Sequence, residues 1–291
     1  MADTQRSLQH RDGLDMPAAE EPCLTHDLHR QRRAVAGMPG AIPFISGRHS
    51  ASRVTPVSPG ARLPAVERPD QSEANQEPIM SIESVRGPTV VIHFDGQRCI
   101  HSRHCVLDRP DVFVPNVAGD WIHPERATPA ELLELAHNCP SGAIQCAAAD
   151  GAAMEAAPRV NTVRVRENGP LAFRAPISID GSDQGYRLTL CRCGASTHKP
   201  YCDGSHTAAG FVATGEPAAV ESAPLAQRDG PLRIEPLKDG PLHVRGNLEV
   251  ITGTGKTVNR VTECWLCRCG HSGDKPYCDG SHRSAGFRSD P

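Results

Sequence analysis

One phrase of sixteen residues is written twice in this chain. Cys191-Arg-Cys193-Gly-Ala-Ser-Thr-His-Lys-Pro-Tyr-Cys202-Asp-Gly-Ser-His206 returns as Cys267-Arg-Cys269-Gly-His-Ser-Gly-Asp-Lys-Pro-Tyr-Cys278-Asp-Gly-Ser-His282, with thirteen of the sixteen positions identical. Each copy sets three thiols and one imidazole at the spacing C-x-C-x8-C-x3-H. A phrase repeated for packing would repeat apolar side chains. This one repeats metal ligands, glycines and prolines, and four soft or borderline donors in one short loop are what a metal site needs.

Composition supports a fold stapled by metal. The chain has 291 residues, enough for two or three small domains, yet only 4% are aromatic and 38% hydrophobic. Small domains with thin cores commonly rely on metals. The net charge of −3 does not suggest a nucleic-acid or anionic-membrane partner. The twelve cysteines read as metal sites in a reducing compartment, and no apolar run approaches the ~18 residues of a membrane span. The first twenty residues lack an apolar secretory region, and the twin-arginine-like Arg32-Arg33 is followed by Pro39 and Pro43. We therefore expect a cytoplasmic location.

Residues 1–84 are rich in Pro, Arg, Gln and Ser without a sustained period. They read as a disordered arm or as a mis-called start, since Met80 lies just before the first recognisable domain. Residues 85–148 form a first unit, in which Thr89–Phe94 reads as a strand ending at Asp95-Gly96. Thr128-Pro-Ala-Glu131 predicts a capped helix start, and Cys139-Pro140 the helix end, with a short turn beginning at Ser141. An Ala-rich linker leads to two related units, 158–215 and 230–290. Each has a short strand, a Gly-Pro-Leu turn, a second strand, the ligand loop and an Ala-Gly-Phe tail. The second copy carries five extra residues, near Ile251–Arg260. Gly253-Thr-Gly-Lys256-Thr257 lacks the first glycine of a phosphate loop, because position 250 is Val, so it reads as a hairpin turn.

Thiolates hold iron–sulfur clusters, and imidazole can replace thiolate on one iron. A 2Fe–2S rhomb has four terminal positions: Cys191 and Cys193 can serve one iron, Cys202 and His206 the other. Asp203 or Ser205 is placed to cap the helix that follows, and Gly194 and Gly204 to let the backbone approach the sulfides. Three Cys and one His also suit zinc, and spacing alone leaves both metals open.

The complete phrase, with its fixed Pro200 and Pro276 and the ending Asp-Gly-Ser-His, resembles the CDGSH iron–sulfur family of mitoNEET-like proteins, in its tandem class. The resemblance covers about 125 residues counted over both copies. It implies a 2Fe–2S cluster on Cys191, Cys193, Cys202 and His206 and another on Cys267, Cys269, Cys278 and His282. It further implies a surface-lying His, electron transfer or cluster donation, and pairing of the two motifs within one chain. Lys199 and Lys275 match a lysine that the family keeps near the cluster. Asp203, Asp279, Ser205 and Ser281 are expected to support the ligands.

In the first unit, Cys99-Ile-His101-Ser102-Arg-His104-Cys105 and the distant Cys139-Pro140 resemble a divergent single-cluster ferredoxin domain, as does Pro110-Asp-Val-Phe113. Cys99, Cys105 and Cys139 carry over as ligands. Ser102 stands where the middle cysteine would be. Three thiolates suit 3Fe–4S, whereas 4Fe–4S needs a fourth ligand such as His101, His104 or an exogenous group. Cys146, Cys264 and Cys23 fit no ligand slot and read as packing or incidental thiols. His198 and His271 read as solvated.

The expected architecture is thus α+β: a small ferredoxin-like domain, then two small β-rich CDGSH domains, behind the arm. No catalytic residue stands out. One-electron transfer to a redox partner protein is the expected work. Donation of clusters or iron to an apo acceptor, or a zinc-bound interaction module, are the alternatives.

Overall fold

The computed structural model describes residues 82–290. Residues 1–81 of the expected arm at 1–84, with Cys23 and the twin-arginine pair, lie outside the described residues. The described chain is β-rich with few helices.

The first unit is built on three antiparallel strands in the order β1 (Glu83–Arg86), β2 (Val90–Phe94) and β3 (Ile144–Ala148). β1 thus starts two residues before the boundary expected at 85. Between β2 and β3 lie the short α1 (His104–Asp108) and the longer α2 (Pro129–Asn138). The α2 boundaries follow the sequence reading. Thr128 accepts from the Glu131 amide, Glu131 reaches back to the Thr128 amide at 2.8 Å, and Cys139 caps the C-terminus. Leu132, Leu135 and Ala136 of α2 are buried with Val90, Ile92, Phe113 and Ile144. Ile144 starts strand β3 where only a turn was expected.

The two repeated units share one sheet of six strands. The first copy supplies β4 (Thr162–Val165), β5 (Leu171–Ile179) and β6 (Ser182–Leu190); the second supplies β7 (Leu232–Pro236), β8 (Leu242–Ile251) and β9 (Thr257–Leu266). β5–β6 and β8–β9 are antiparallel hairpins. The five-residue difference between the copies divides between these hairpins: the connection lengthens from residues 180–181 to residues 252–256, and each strand gains one residue. The glycine-rich segment Gly253–Lys256 is this connection, as the hairpin reading required.

The short strands are exchanged between copies. β4 runs antiparallel to the first half of β5 and parallel to the end of β8. β7 runs antiparallel to the first half of β8 and parallel to the end of β5. One continuous core results, in which Val163, Phe173 and Leu188 pack with Ile234, Val244 and Val250. Alternation along the strands directs these residues inward. Each ligand loop leaves the end of an outer hairpin strand, β6 or β9, and finishes in a one-turn helix, α3 (Ser205–Ala208) or α4 (Ser281–Ser284).

Candidate metal centres

Each repeated loop is folded back on the strand that launches it. The Cys191 amide donates to the Pro200 carbonyl at 2.8 Å and the Cys202 amide to the Thr189 carbonyl at 3.0 Å. Leu190 and Tyr201 form a bridge, as do Leu266 and Tyr277. Ser196 donates its hydroxyl to the Tyr201 carbonyl at 2.7 Å, and Ser272 repeats this with Tyr277 at the same distance.

The donors converge in pairs. Cys191 and Cys193 bring their Sγ atoms to 3.6 Å, and Cys267 and Cys269 do the same. Cys202 Sγ lies 3.5 Å from His206 Nδ1, and Cys278 Sγ 3.3 Å from His282 Nδ1. Two sulfurs on one tetrahedral metal with bonds of ~2.3 Å stand about 3.8 Å apart. Each pair is therefore spaced to hold one metal atom. Among the described residues no three His, Cys, Asp or Glu side chains converge on a single metal position. All eleven described cysteines are free thiols.

Electrostatics differ within a pair. The hydrogen bond with Cys193 holds the Cys191 thiol below its ordinary value, aided by amides of the loop, and pushes Cys193 up. Cys267 and Cys269 repeat this pattern. Burial raises Cys202 to about 11 and favours neutral imidazole at His206, against the pull of Asp203. Both histidines are half-buried.

The supporting residues occupy partly different roles from those expected. Asp203 accepts from the Thr197 and Ser205 amides at 2.8 and 3.0 Å, and Asp279 accepts from Gly273 and Ser281 at 2.7 and 2.9 Å. These bonds hold both carboxyls below their ordinary range, against the cost of desolvation. The N-cap position itself belongs to Gly204 and Gly280, both left-handed, and Ser205 and Ser281 open the helices. Lys199 and Lys275 donate to the Ser196 and Ser272 carbonyls at 2.7 and 2.5 Å. Lys199 also stands 6.0 Å from the Phe287 ring of the other copy. His198 and His271 are exposed.

Sequence reasoning passed over the arginine inside each Cys-Arg-Cys. Arg192 is 1% exposed and donates to the carbonyls of Gly169, Arg166, Ala213 and Thr214. Arg268 donates to Gly240 at 2.7 Å and to Leu237. Each guanidinium lies 5.4 Å from the phenyl ring of its own Ala-Gly-Phe tail, Phe211 or Phe287. The repeated Gly-Pro-Leu turn, arginine and phenylalanine are therefore one assembly that braces the loop. Burial lowers Arg192 to about 10, while the thiols of Cys267 and Cys193 pull the other way. The identity of these residues in both copies was the available signal.

The two loops meet. Cys193 and Cys269 form an antiparallel bridge. Gly194 has φ +82°, and a Cβ there would stand 2.5 Å from the Cys269 carbonyl oxygen; Gly270 faces Cys193 in the same way. These glycines serve the approach of one loop to the other.

In the first unit Cys99 follows the turn after β2, Cys105 lies in the first turn of α1, and Cys139 caps α2. All three pack on the same core. Burial raises Cys99 and Cys105, and the charge of Cys139 raises both further. The loop between them carries two left-handed non-glycine residues, His101 at φ 52° and Arg103 at φ 64°, on either side of Ser102. His101 Nδ1 stands 4.0 Å from Cys99 Sγ. Cys146 is buried in the core with its thiol donating to the Leu132 carbonyl at 3.5 Å, and Cys264 is buried in the sheet core.

Residues 159–207 and 239–283 both match the family described as iron-binding zinc finger CDGSH type. Residues 85–149 match the family described as divergent 4Fe-4S mono-cluster. No curated protein matches the chain. The donor pairs and the two family matches together support an iron–sulfur cluster-binding protein. Two segments match the CDGSH family, behind one that matches the divergent mono-cluster family.

Proposed function

We propose that this protein is a one-electron carrier that holds three clusters in one chain and is not an enzyme. Cys191, Cys193, Cys202 and His206 would hold one 2Fe–2S group, and Cys267, Cys269, Cys278 and His282 a second. Cys99, Cys105 and Cys139 would hold a 3Fe–4S or 4Fe–4S group within an α+β, ferredoxin-like unit. Such clusters supply reversible one-electron chemistry. The residues supply ligation, burial and amide dipoles that set the potential. The observation that carries this reading is the convergence of thiols and imidazole two by two in each loop. The bridge between Cys193 and Cys269 supports exchange between the two CDGSH centres. The partner we infer is a redox protein in the cytoplasm, with no role for nucleic acid or membrane. Among the described residues no helix is long and apolar enough to cross a membrane.

A second reading, donation of clusters or iron to an apo acceptor, draws on the half-buried histidines, whose protonation would release a ligand. Anaerobic purification with metal and acid-labile sulfide analysis, followed by paramagnetic resonance in both redox states, tests both. Reversible titration of all centres without iron loss supports electron transfer. Ligand loss on mild acidification, with iron reaching an apo acceptor, supports donation. A colourless zinc protein overturns both and leaves a zinc-bound interaction module.

A further inference from the structure

Between the first unit and the sheet of the CDGSH domains lies a cavity of about 740 Å³. Arg159, Arg164, Arg166, Arg174 and Arg187 line it, and no Asp or Glu does. Its far wall comes from the end of α2, through His137, Asn138 and Pro140. The arginines share a face because of strand alternation. Thr162, Arg164 and Arg166 stand at every second position along and just past β4, and Thr162 pairs with Arg174 of β5. Arg174 in turn pairs directly with Arg187 of β6.

Like charges placed opposite each other across strands destabilise a sheet. Among the described residues only one of these charges is neutralised by a carboxylate: Arg187 meets Glu155 at 2.5 Å. Arg164 donates to the Gly253 carbonyl at 3.2 Å, which leaves its charge uncompensated. Among the described residues Arg159, Arg166 and Arg174 have no carboxylate partner. Arg166 is half-buried, and both burial and the charge of Arg164 lower its pKa. A concave wall that keeps four unneutralised guanidinium groups is poised for an anion. Guanidinium recognises carboxylate and phosphate through paired N–H donors.

We propose that this cavity binds a small polyanion, a molecule bearing two or more phosphate or carboxylate groups. It would sit beside the candidate first-domain centre, whose Cys139 directly precedes the lining residue Pro140. A concave cleft of this volume, half open to solvent, suits a small molecule better than a flat acidic protein surface.

The test is calorimetric titration of the full-length protein, isolated with its metal, with pyrophosphate and with citrate, against sodium chloride of matched ionic strength. We expect one saturable event per chain for at least one probe. Tighter binding of pyrophosphate assigns a phosphate ester, and tighter binding of citrate a polycarboxylate. Arg164→Gln with Arg174→Gln should weaken binding by about tenfold or more. Arg233→Gln, an exposed arginine of β7 outside the cavity, should leave it unchanged. Arg174→Gln alone, at one exposed strand position, serves if the double variant does not fold. Absence of binding beyond the salt control overturns the proposal. So does equal affinity in the cavity variants, or equal loss in Arg233→Gln.

Discussion

Cys193 and Cys269 face each other across an antiparallel bridge, one from each ligand loop. Each is followed by a glycine whose α-carbon lies under the other's carbonyl oxygen. The two candidate centres are therefore joined through main chain, and substitution in one loop reaches the other.

Gly194→Ala and Gly204→Ala separate contact from conformation. Both glycines are left-handed, at φ +82° and +86°, but an added Cβ meets Cys269 only at position 194 and nothing within 4 Å at 204. The left-handed cost of roughly 1–2 kcal/mol applies to both. Overpacking adds roughly 1–3 kcal/mol at Gly194 alone. Urea denaturation followed by circular dichroism should rank Gly194→Ala clearly lower. Equal losses would mean that the loop contact contributes nothing.

His206→Cys with His282→Cys replaces a neutral ligand by an anion at each CDGSH centre. Both potentials should fall, and acid should no longer strip iron at the pH that strips the wild type. Potentiometric titration and the loss of visible absorbance between pH 8 and 5 provide the readout. Unchanged potential together with unchanged acid lability would remove both histidines from the ligand set.

Ser102→Cys places a thiol between Cys99 and Cys105, giving C-x2-C-x2-C. The variant should gain a stable 4Fe–4S signal in paramagnetic resonance, with the CDGSH signals unaltered. An unaltered first-domain signal, matched by an intact one in Cys105→Ala, would show that this loop holds no cluster.

Glu155→Gln uncovers a buried charge. The Arg187 guanidinium is 4% exposed and also donates to the carbonyls of Cys139 and Ile144 at 3.4 and 3.1 Å. Removing one partner of a buried ion pair costs roughly 3–5 kcal/mol. The midpoint of urea unfolding should drop accordingly. A change below ~1 kcal/mol would place Arg187 in contact with water after all.

Cys146 and Cys264 should resist alkylation in the native protein. Burial pushes both thiols up to about 12, so the reactive thiolate is scarce at pH 8. Peptide mass mapping after iodoacetamide treatment should find both unmodified until denaturant is added. Rapid native labelling of either would contradict its burial.

What sequence could show was local. The α2 boundaries followed from the Thr128–Glu131 box and Cys139-Pro140, because capping is settled within a few residues. The ligand loops were legible because metal donors recur in a fixed spacing. β3 was missed because Gln145, Ala147 and Ala148 have little strand preference; β2 supplies the pairing that makes them a strand. The exchange of β4 and β7 was invisible, since parallel pairing of Thr162 with Glu249 joins residues far apart in the chain. Arg192 and Arg268 were overlooked because a charged residue between two ligands suggests solvent, whereas backbone carbonyls from the Gly-Pro-Leu turn surround it. The face shared by Arg164 and Arg174 needed the register of two strands.

The crossed strands also set how this region divides. Cut anywhere between β6 and β7, each fragment keeps its own outer hairpin but loses the parallel neighbour that closes its central strand. Neither fragment is a finished object, and each exposes the edge that the other fits. Expressed as separate polypeptides, the halves carry the instructions for finding one another, and a lone half carries the same instructions for a second copy of itself.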